Sequence, residues 1–466
     1  MRRRLSGGRL QGGTRRLDLT SQRCGTGARR ISHDEANALG EITNHHDSYS
    51  IDGLQPAAVC LSDLQGLSDA LAEAAKDGLA VAPWGGGTRV AIGNRPARLD
   101  RVLDLSRLKG IVHHNPADLT ATVEAGIRVA DLQRHLAEHG QFLAIDPPLP
   151  DRATVGGTLA VGGGGPTKWH FGHPRDLVIG MKVVQADGSV VSSGGQVVKN
   201  VSGYDMARLH VGGLGTLGVI AEVSFKLTPL PQGEATLVAA FDSASRCLSA
   251  GLAVFHSGVT PLALAAYDAA VDDRVNVAPL KGHHLLAVRL GGRPLTLQRA
   301  LRECRSLCNL GGATAVEALD EADAAAAWRK LADFGWEKAT APLMSARASV
   351  RPTKLSEIVE AVANGDAQAG LCCATLCHVG YGTVLIHWFA DGPEPPAPAI
   401  AEVAARARRA VHAVGGQMNI EHCPLPVKAG LDVWDQVGEP IAIMRRLKEQ
   451  YDPGNVLNPG RFVGGI

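Results

Sequence analysis

Apolar and polar positions organise the chain from Ala57 onward. Ala57-Ala-Val-Cys-Leu61 is a continuous apolar run bounded by polar residues, which predicts a strand. Ser62 or Asp63 then offers a helix N-cap. Leu64, Leu67, Ala70, Leu71 and Ala74 follow at helical spacing, and Gly78 closes the helix. Leu79–Pro83 predicts a second strand, so this β-α-β unit runs directly into Trp84-Gly-Gly-Gly-Thr88. Val102–Leu105 and Thr120–Glu124 predict further strands, the latter alternating as a half-buried strand does. A helix is expected over Val129–His139, stopped by Gly140. Val178–Gln185 and Val190–Ser193 flank Ala186-Asp-Gly-Ser189, where the Asp-Gly pair predicts a type I′ hairpin turn. Ile220–Leu227 predicts another strand, and Pro229-Leu-Pro231 ends the segment.

Beyond Pro231 the pattern changes. Helical spacing appears at Asp242–Phe255, Leu297–Leu310, Glu317–Ala332 and Ala399–Val414, with strands predicted at His284–Arg289, Ser345–Val350 and Thr383–Phe389. The expected organisation is a first domain over 51–231, an α+β second domain over 232–440, and a tail over 441–466. That tail begins as a helix, Ile441–Gln450, and ends irregularly. The first thirty residues carry nine Arg but a single acid, Asp18, without apolar periodicity; residues 1–50 are expected to be a disordered extension.

Composition narrows the function classes. The 47 basic and 46 acidic residues leave a net charge of +1, so no broad electropositive face for nucleic acid is expected. Every apolar run is broken by Gly or a charged residue short of transmembrane length. Nine cysteines, an odd number with no secretory signal, predict reduced thiols and a cytoplasmic protein. Cys372-Cys-Ala-Thr-Leu-Cys377 lacks the spacing of an iron–sulfur ligand run and reads as buried small hydrophobes.

Glycine is abundant, at 55 residues, and three glycine-rich stretches stand where predicted strands end, at Pro83–Arg89, Thr154–Thr167 and Gly212–Gly218. Successive backbone N–H groups in such loops form anion nests that can cradle a pyrophosphate. Gly213-Leu-Gly-Thr-Leu-Gly218 spells the dinucleotide fingerprint, but a Rossmann unit must open a helix there. Val219-Ile-Ala-Glu-Val-Ser-Phe-Lys-Leu227 instead alternates as a strand, and the acidic residue about 20 positions on is missing, so that reading fails.

Four stretches in order carry a resemblance: Pro83-Trp-Gly-Gly-Gly-Thr88, Asp146-Pro-Pro148, Ala153-Thr-Val-Gly-Gly-Thr-Leu-Ala160 and Gly212–Ile220. They are similar to the FAD-binding loops of the vanillyl-alcohol oxidase/p-cresol methylhydroxylase superfamily. Tyr451-Asp-Pro-Gly-Asn-Val-Leu-Asn-Pro-Gly-Arg461 resembles the tail by which that family returns to its flavin domain. Gln196–Asp205 with Arg208, Leu431-Asp-Val-Trp434, and Leu214 where related subunits carry an acid resemble the FAD-binding subunits of bacterial glycolate oxidases.

The resemblance implies a p-cresol methylhydroxylase (PCMH-type) two-subdomain FAD-binding domain, an α+β cap or substrate domain, and non-covalent FAD. Trp84, Gly85, Gly86, Gly87, Thr88 and Arg89, with Thr154, Val155, Gly156, Gly157 and Thr158, would wrap the pyrophosphate and ribitol. Asp146, Pro147, Gly162, Gly163, Gly164 and Gly165 would border the cofactor. Gly215, Thr216, Gly218, Val219 and Ile220 would meet its adenosine half, and Asn458 and Arg461 its isoalloxazine end. Tethered relatives often place a His after the first Gly loop; here Thr88-Arg-Val90 follows, and His170 and His173 read as ordinary loop histidines.

Oxidising a 2-hydroxy acid, the activity this resemblance implies, needs a cation for the carboxylate and a base for the hydroxyl proton. Arg347, His378 and His387 are the candidates. His378-Val-Gly-Tyr-Gly-Thr-Val-Leu385 and Glu421-His422 resemble an altered form of a related family's metal motif, with Tyr381, Thr383 and Leu385 departing from it. No metal is therefore expected, a shifted His378/His387/Glu421 set being the weaker alternative. Implied partners are a paralogous flavoprotein and an iron–sulfur subunit, with a peripheral association with the inner membrane through them conceivable. The alternatives are a non-catalytic FAD-carrying subunit and a stand-alone FAD-linked oxidase of another alcohol or sugar.

Overall fold

The structure is a computed structural model that describes residues 41–43, 49–195, 204–363 and 370–466. Most of the Arg-rich N-terminal stretch, and Gln196–Gly203 of the motif noted above, lie outside the described residues. The architecture is α+β.

A small sheet orders its strands Glu41–Thr43, Ala57–Cys60, Arg101–Asp104 and Val81–Trp84. The last three are parallel, whereas Glu41–Thr43 runs antiparallel to Ala57–Cys60 and precedes the first regular element read from the sequence. The helix Leu64–Asp77 begins where the Asp63 carboxylate accepts the Gly66 N–H and ends at Gly78 in the left-handed region. Its buried Leu67, Leu71 and Ala74 pack on Val81 and Leu103. A second, antiparallel sheet has the order Ile111–Asn115, Thr120–Glu124, Val219–Lys226, Val178–Val184, Val190–Gly194.

The hairpin joining the last two strands differs from expectation. The Gly188 N–H closes on the Gln185 carbonyl, and only Gly188 has a positive φ, at 85°. A type I′ turn needs positive φ at both central residues. Here three residues, Ala186–Gly188, lie between Gln185 and Ser189, and the Asp187 carboxylate holds the Ser189 N–H.

The second half is built on an eight-stranded antiparallel sheet. Its order is Ala315–Leu319, Glu234–Phe241, His284–Gly291, Ala263–Asp268, Leu371–His378, Thr383–Ala390, Met344–Ser349, Gln417–His422. The helix expected over Glu317–Ala332 is thus partly strand. Asp320 caps the true helix, Glu321–Asp333, by accepting the Asp323 N–H, which frees residues 315–319 to pair with Glu234–Phe241 at the sheet edge. Helices Ala244–Phe255, Pro294–Leu310, Leu355–Ala363 and Ala397–Ala413 cover one face, burying Met344, Ala346, Ala348, Val384, Ile386 and Trp388. Alternation along the same strands sends Ser345, Arg347, Leu385 and His387 to the other face. Among the described residues no cysteine forms a disulfide. No helix among the described residues is long and apolar enough to cross a membrane.

Candidate active site

A cleft of about 110 Å³ opens between the two sheets of the first half. One wall is Pro83–Val90, leaving the strand Val81–Trp84; the other comprises Ala125, Thr154, Gly156, Gly157, Ala160, Val161, Leu214, Gly215, Val219 and Ile220. Asn458 and Arg461 close one end.

The glycines are needed for the walls to approach. A Cβ on Gly86 would stand 1.7 Å from the Arg152 carbonyl oxygen, and one on Gly85 2.2 Å from Thr154 Oγ1. Gly215, at φ 68°, would meet Pro83 at 2.8 Å. Thr154 caps the short helix Val155–Ala160 by accepting the Gly157 N–H at 3.2 Å.

The C-terminal tail completes the cleft. The Val81 N–H donates to the Val456 carbonyl and the Asn458 N–H to that of Val81, adding the tail beside the first sheet. Asn458 Nδ2 donates to the Leu214 carbonyl at 2.7 Å. Arg461 Nη2 donates to the carbonyls of Val90 and Ile92, while its buried Nε has no partner. Trp434 Nε1 donates to the Arg461 carbonyl at 2.9 Å, tying Leu431–Trp434 to the tail.

Among the described residues no carboxylate lines this cleft, whereas Arg89 and Arg461 both do. Burial pulls the pKa of each down to about 10, still high enough to keep the charge at neutral pH. Glycine walls, two buried cations and an unpartnered Nε–H suit an anionic dinucleotide such as FAD.

The remaining residues expected around the cofactor are placed differently. Val155 is buried in the core of the second sheet, and the Thr158 hydroxyl donates to the Thr154 carbonyl. Thr216 is buried, its hydroxyl bonded to the Gly213 carbonyl, and Gly218 packs on Val183. Gly162 faces Gly212, Gly163 lies near the Arg89 guanidinium, and Gly164 lies against Lys168 and Pro174. Gly165 abuts Asp146, whose Oδ2 accepts the Thr167 N–H at 3.1 Å. Asp146 and Pro147 line another cleft, together with Trp328 and Arg329 of the second half of the chain. Burial raises the Asp146 carboxyl to about 6, and its Oδ1 has no partner.

Beside the flavin cleft, the opposite face of the eight-stranded sheet, partly covered by the helix Glu321–Asp333, gathers charge. Arg347 Nε donates to Glu421 Oε1 at 2.6 Å. Burial alone would raise the Glu421 carboxyl, but Arg347 and Arg89 hold it below the usual range. Arg89 stacks on Trp336, its guanidinium carbon 4.1 Å from the ring centre, and among the described residues no carboxylate lies within ion-pair distance of it. Lys168 Nζ lies 4.2 Å from the centre of the Tyr381 ring, and burial, with Arg347 adding to it, lowers its pKa to about 8.

Both histidines named from the sequence are buried and neutral. Burial, then Arg347 and Lys168, push His378 down to about 3, and its Nδ1 has no hydrogen-bond partner. His387 is pushed to about 4 by burial and packs edge-on against Phe334, 5.0 Å between ring centres. His378, His387 and Glu421 are not brought together as metal donors; among the described residues such a group of three forms only at His114, His135 and His139. His170 and His173 stand outside the cleft, His170 Nδ1 at 3.2 Å from the Pro261 carbonyl and His173 against Tyr381. Lys168 was not singled out from the sequence, since a lysine next to a glycine loop carries no signal until the loop folds.

Comparison with known proteins agrees with this architecture. The glycolate oxidase subunit GlcD of Bacillus subtilis (strain 168) is 26% identical over 450 residues, 92% of this chain and 93% of its own length. The glycolate oxidase subunit GlcE of Escherichia coli (strain K12) is 38% identical over 138 residues, 29% of this chain and 39% of its own. The crystal structure of p-cresol methylhydroxylase with substrate bound superposes with a TM-score of 0.63 at 15% identity, covering 92% of this chain and 93% of that one, a likeness of fold. Residues 56–194 match the FAD binding domain family and residues 230–462 match the FAD linked oxidases, C-terminal domain. With glycine walls, buried cations and a returning tail around one cleft, this chain belongs to the FAD-linked oxidases with a PCMH-type fold, a family of FAD-dependent oxidoreductases.

Proposed function

We propose that the chain oxidises a small 2-hydroxy acid, glycolate or D-lactate, within an assembly that includes a paralogous flavoprotein and an iron–sulfur protein. The observation that carries the reading is the convergence of three cations, Arg89, Lys168 and Arg347, on a buried face with two carboxylates, Glu421 among them and Asp146 near Lys168. Such a face carries surplus positive charge and suits a substrate carboxylate. The names of GlcD and GlcE support the substrate class and the multi-subunit setting.

FAD, when bound, would supply the two-electron acceptor. Arg347 and Lys168 would hold the carboxylate, and His378 would take the hydroxyl proton on its free Nδ1. Burial is the main cause of its low pKa, and a carboxylate between Arg347 and Lys168 would offset the smaller part that those two charges add. His387 is less accessible, because Phe334 and Gly335 pack on its ring. Among the described residues no His, Cys or Tyr lines the flavin cleft, which supports non-covalent FAD. Acid precipitation should release all the yellow colour into the supernatant.

The test is anaerobic reduction of the purified chain by glycolate and by D-lactate, followed at the flavin bands. Bleaching by either acid supports the reading, and a flavin untouched by both removes it for the isolated chain. A second reading, an FAD-carrying subunit without its own catalysis, is favoured by the GlcE likeness and the altered Tyr381, Thr383 and Leu385 positions. It predicts bleaching only when the partner subunits are added.

A further inference from the structure

We propose that His114, His135 and His139 form a binding site for a divalent transition-metal cation of the zinc type, separate from the flavin cleft. His114 lies on the edge strand Ile111–Asn115; His135 is on the helix Val129–Ala137, and His139 follows one turn later. One donor nitrogen from each ring lies within 4.8 Å of the other two. The ring centres are 5.2, 4.9 and 5.6 Å apart.

The hydrogen bonds around the cluster fix which nitrogen can ligate. Gln141 is buried, and its Nε2 donates to the Pro116 carbonyl at 2.7 Å. That orients Gln141 Oε1 as acceptor toward His114 Nε2, 3.0 Å away, so the His114 proton resides on Nε2. His114 Nδ1 therefore presents its lone pair to His135 Nε2 at 3.2 Å. Two nitrogens about 2.0–2.1 Å from one tetrahedral zinc are roughly 3.3 Å apart, so this spacing fits a shared ion. A carboxamide or carbonyl fixing the far nitrogen is the usual second shell of a metal-bound histidine. Three imidazoles without a carboxylate select zinc, copper or nickel over calcium or magnesium.

The location gives the ion a mechanical role. It would clamp the edge strand to the end of the helix. Gln141 also begins the two-residue strand that pairs with Thr228–Pro229, shortly before Glu234–Phe241, the first strand in sequence of the eight-stranded sheet. An ion bound to the folded chain alone raises its melting temperature as metal concentration rises.

The experiment is Zn2+ titration by calorimetry on the full, tag-free, FAD-loaded chain, with His135→Ala and His139→Ala beside it. His139 is exposed, so its truncation leaves the fold intact. The expected result is one Zn2+ bound and a rise in Tm, with each variant losing at least the ~10–100-fold in affinity typical of an outer-shell change. Flavin content stays unchanged in His139→Ala. Equal Zn2+ binding by His139→Ala, a loss smaller than that range, or no binding by the wild-type chain overturns the proposal.

Discussion

Arg347 and Glu421 meet at 2.6 Å where the register between neighbouring strands slips. Ser345 pairs with His422 but Ala346 pairs with Ile420, leaving Glu421 as the extra residue of a bulge. Bulges re-aim side chains, and this one turns Glu421 onto the polar face toward Arg347.

Arg347→Met should act on two readouts. Loss of a charge-assisted contact of about 1.5–3 kcal/mol raises KM for the hydroxy acid roughly 10- to 100-fold. Tm also falls, because Glu421 is left buried without its partner, a situation that costs ~3–5 kcal/mol. Arg347→Met with unchanged KM would remove Arg347 from the substrate site and leave it a structural ion-pair partner.

Lys168 gives the site a pH dependence of defined sign. Burial disfavours the ammonium and lowers its pKa to about 8 from 10.5, so the charge is present below pH 8 and lost above it. Steady-state KM should be flat to about pH 8 and then rise toward about tenfold per unit. The free chain gains stability from this group as pH rises from about 8 to 10.5, where the unfolded state binds more protons. In Lys168→Arg the upturn in KM should vanish, since Arg stays charged.

Asp146 behaves oppositely. Burial raises its carboxyl to about 6 from 3.8, so its contribution is fully present below pH 3.8 and is lost as pH rises through 6. Asp146→Asn keeps an oxygen for the Thr167 N–H and removes the buried charge. Its Tm should exceed wild type at pH 8, with the difference shrinking at pH 4.

Gly86→Ala tests the cleft. A methyl placed 1.7 Å from the Arg152 carbonyl must push the two walls apart. Overpacking of this kind costs ~1–3 kcal/mol, and the purified protein should retain little flavin by absorbance. Gly66→Ala, on the helix Leu64–Asp77 with its nearest neighbour at 3.5 Å, should instead raise Tm slightly.

Much of the first domain is legible in the chain because its signals are local. Asp63, the periodic Leu67, Leu71 and Ala74, and Gly78 specify one helix within sixteen residues. The strand after Gly218 is likewise written in Val219–Lys226, which is why the dinucleotide fingerprint there does not open a helix. Misreadings arose where local patterns were ambiguous. Glu317–Leu319 continues a helical pattern backwards, but pairing with Thr236–Val238 makes it strand.

The sequence by itself determined the strand and helix periods, the glycine loops and the tail that identify a flavin fold, because φ preference and apolar period act over a few residues. The tertiary structure decided which charges meet. Arg347 could face either way along its strand until Met344, Ala346 and Ala348 took the face covered by helices. Lys168 joined that site, and His114 joined His135 and His139, only through contacts between distant segments. Spacing in the chain hints at the last pair alone, because His135 and His139 stand one helical turn apart; strand register and sheet packing supply the rest.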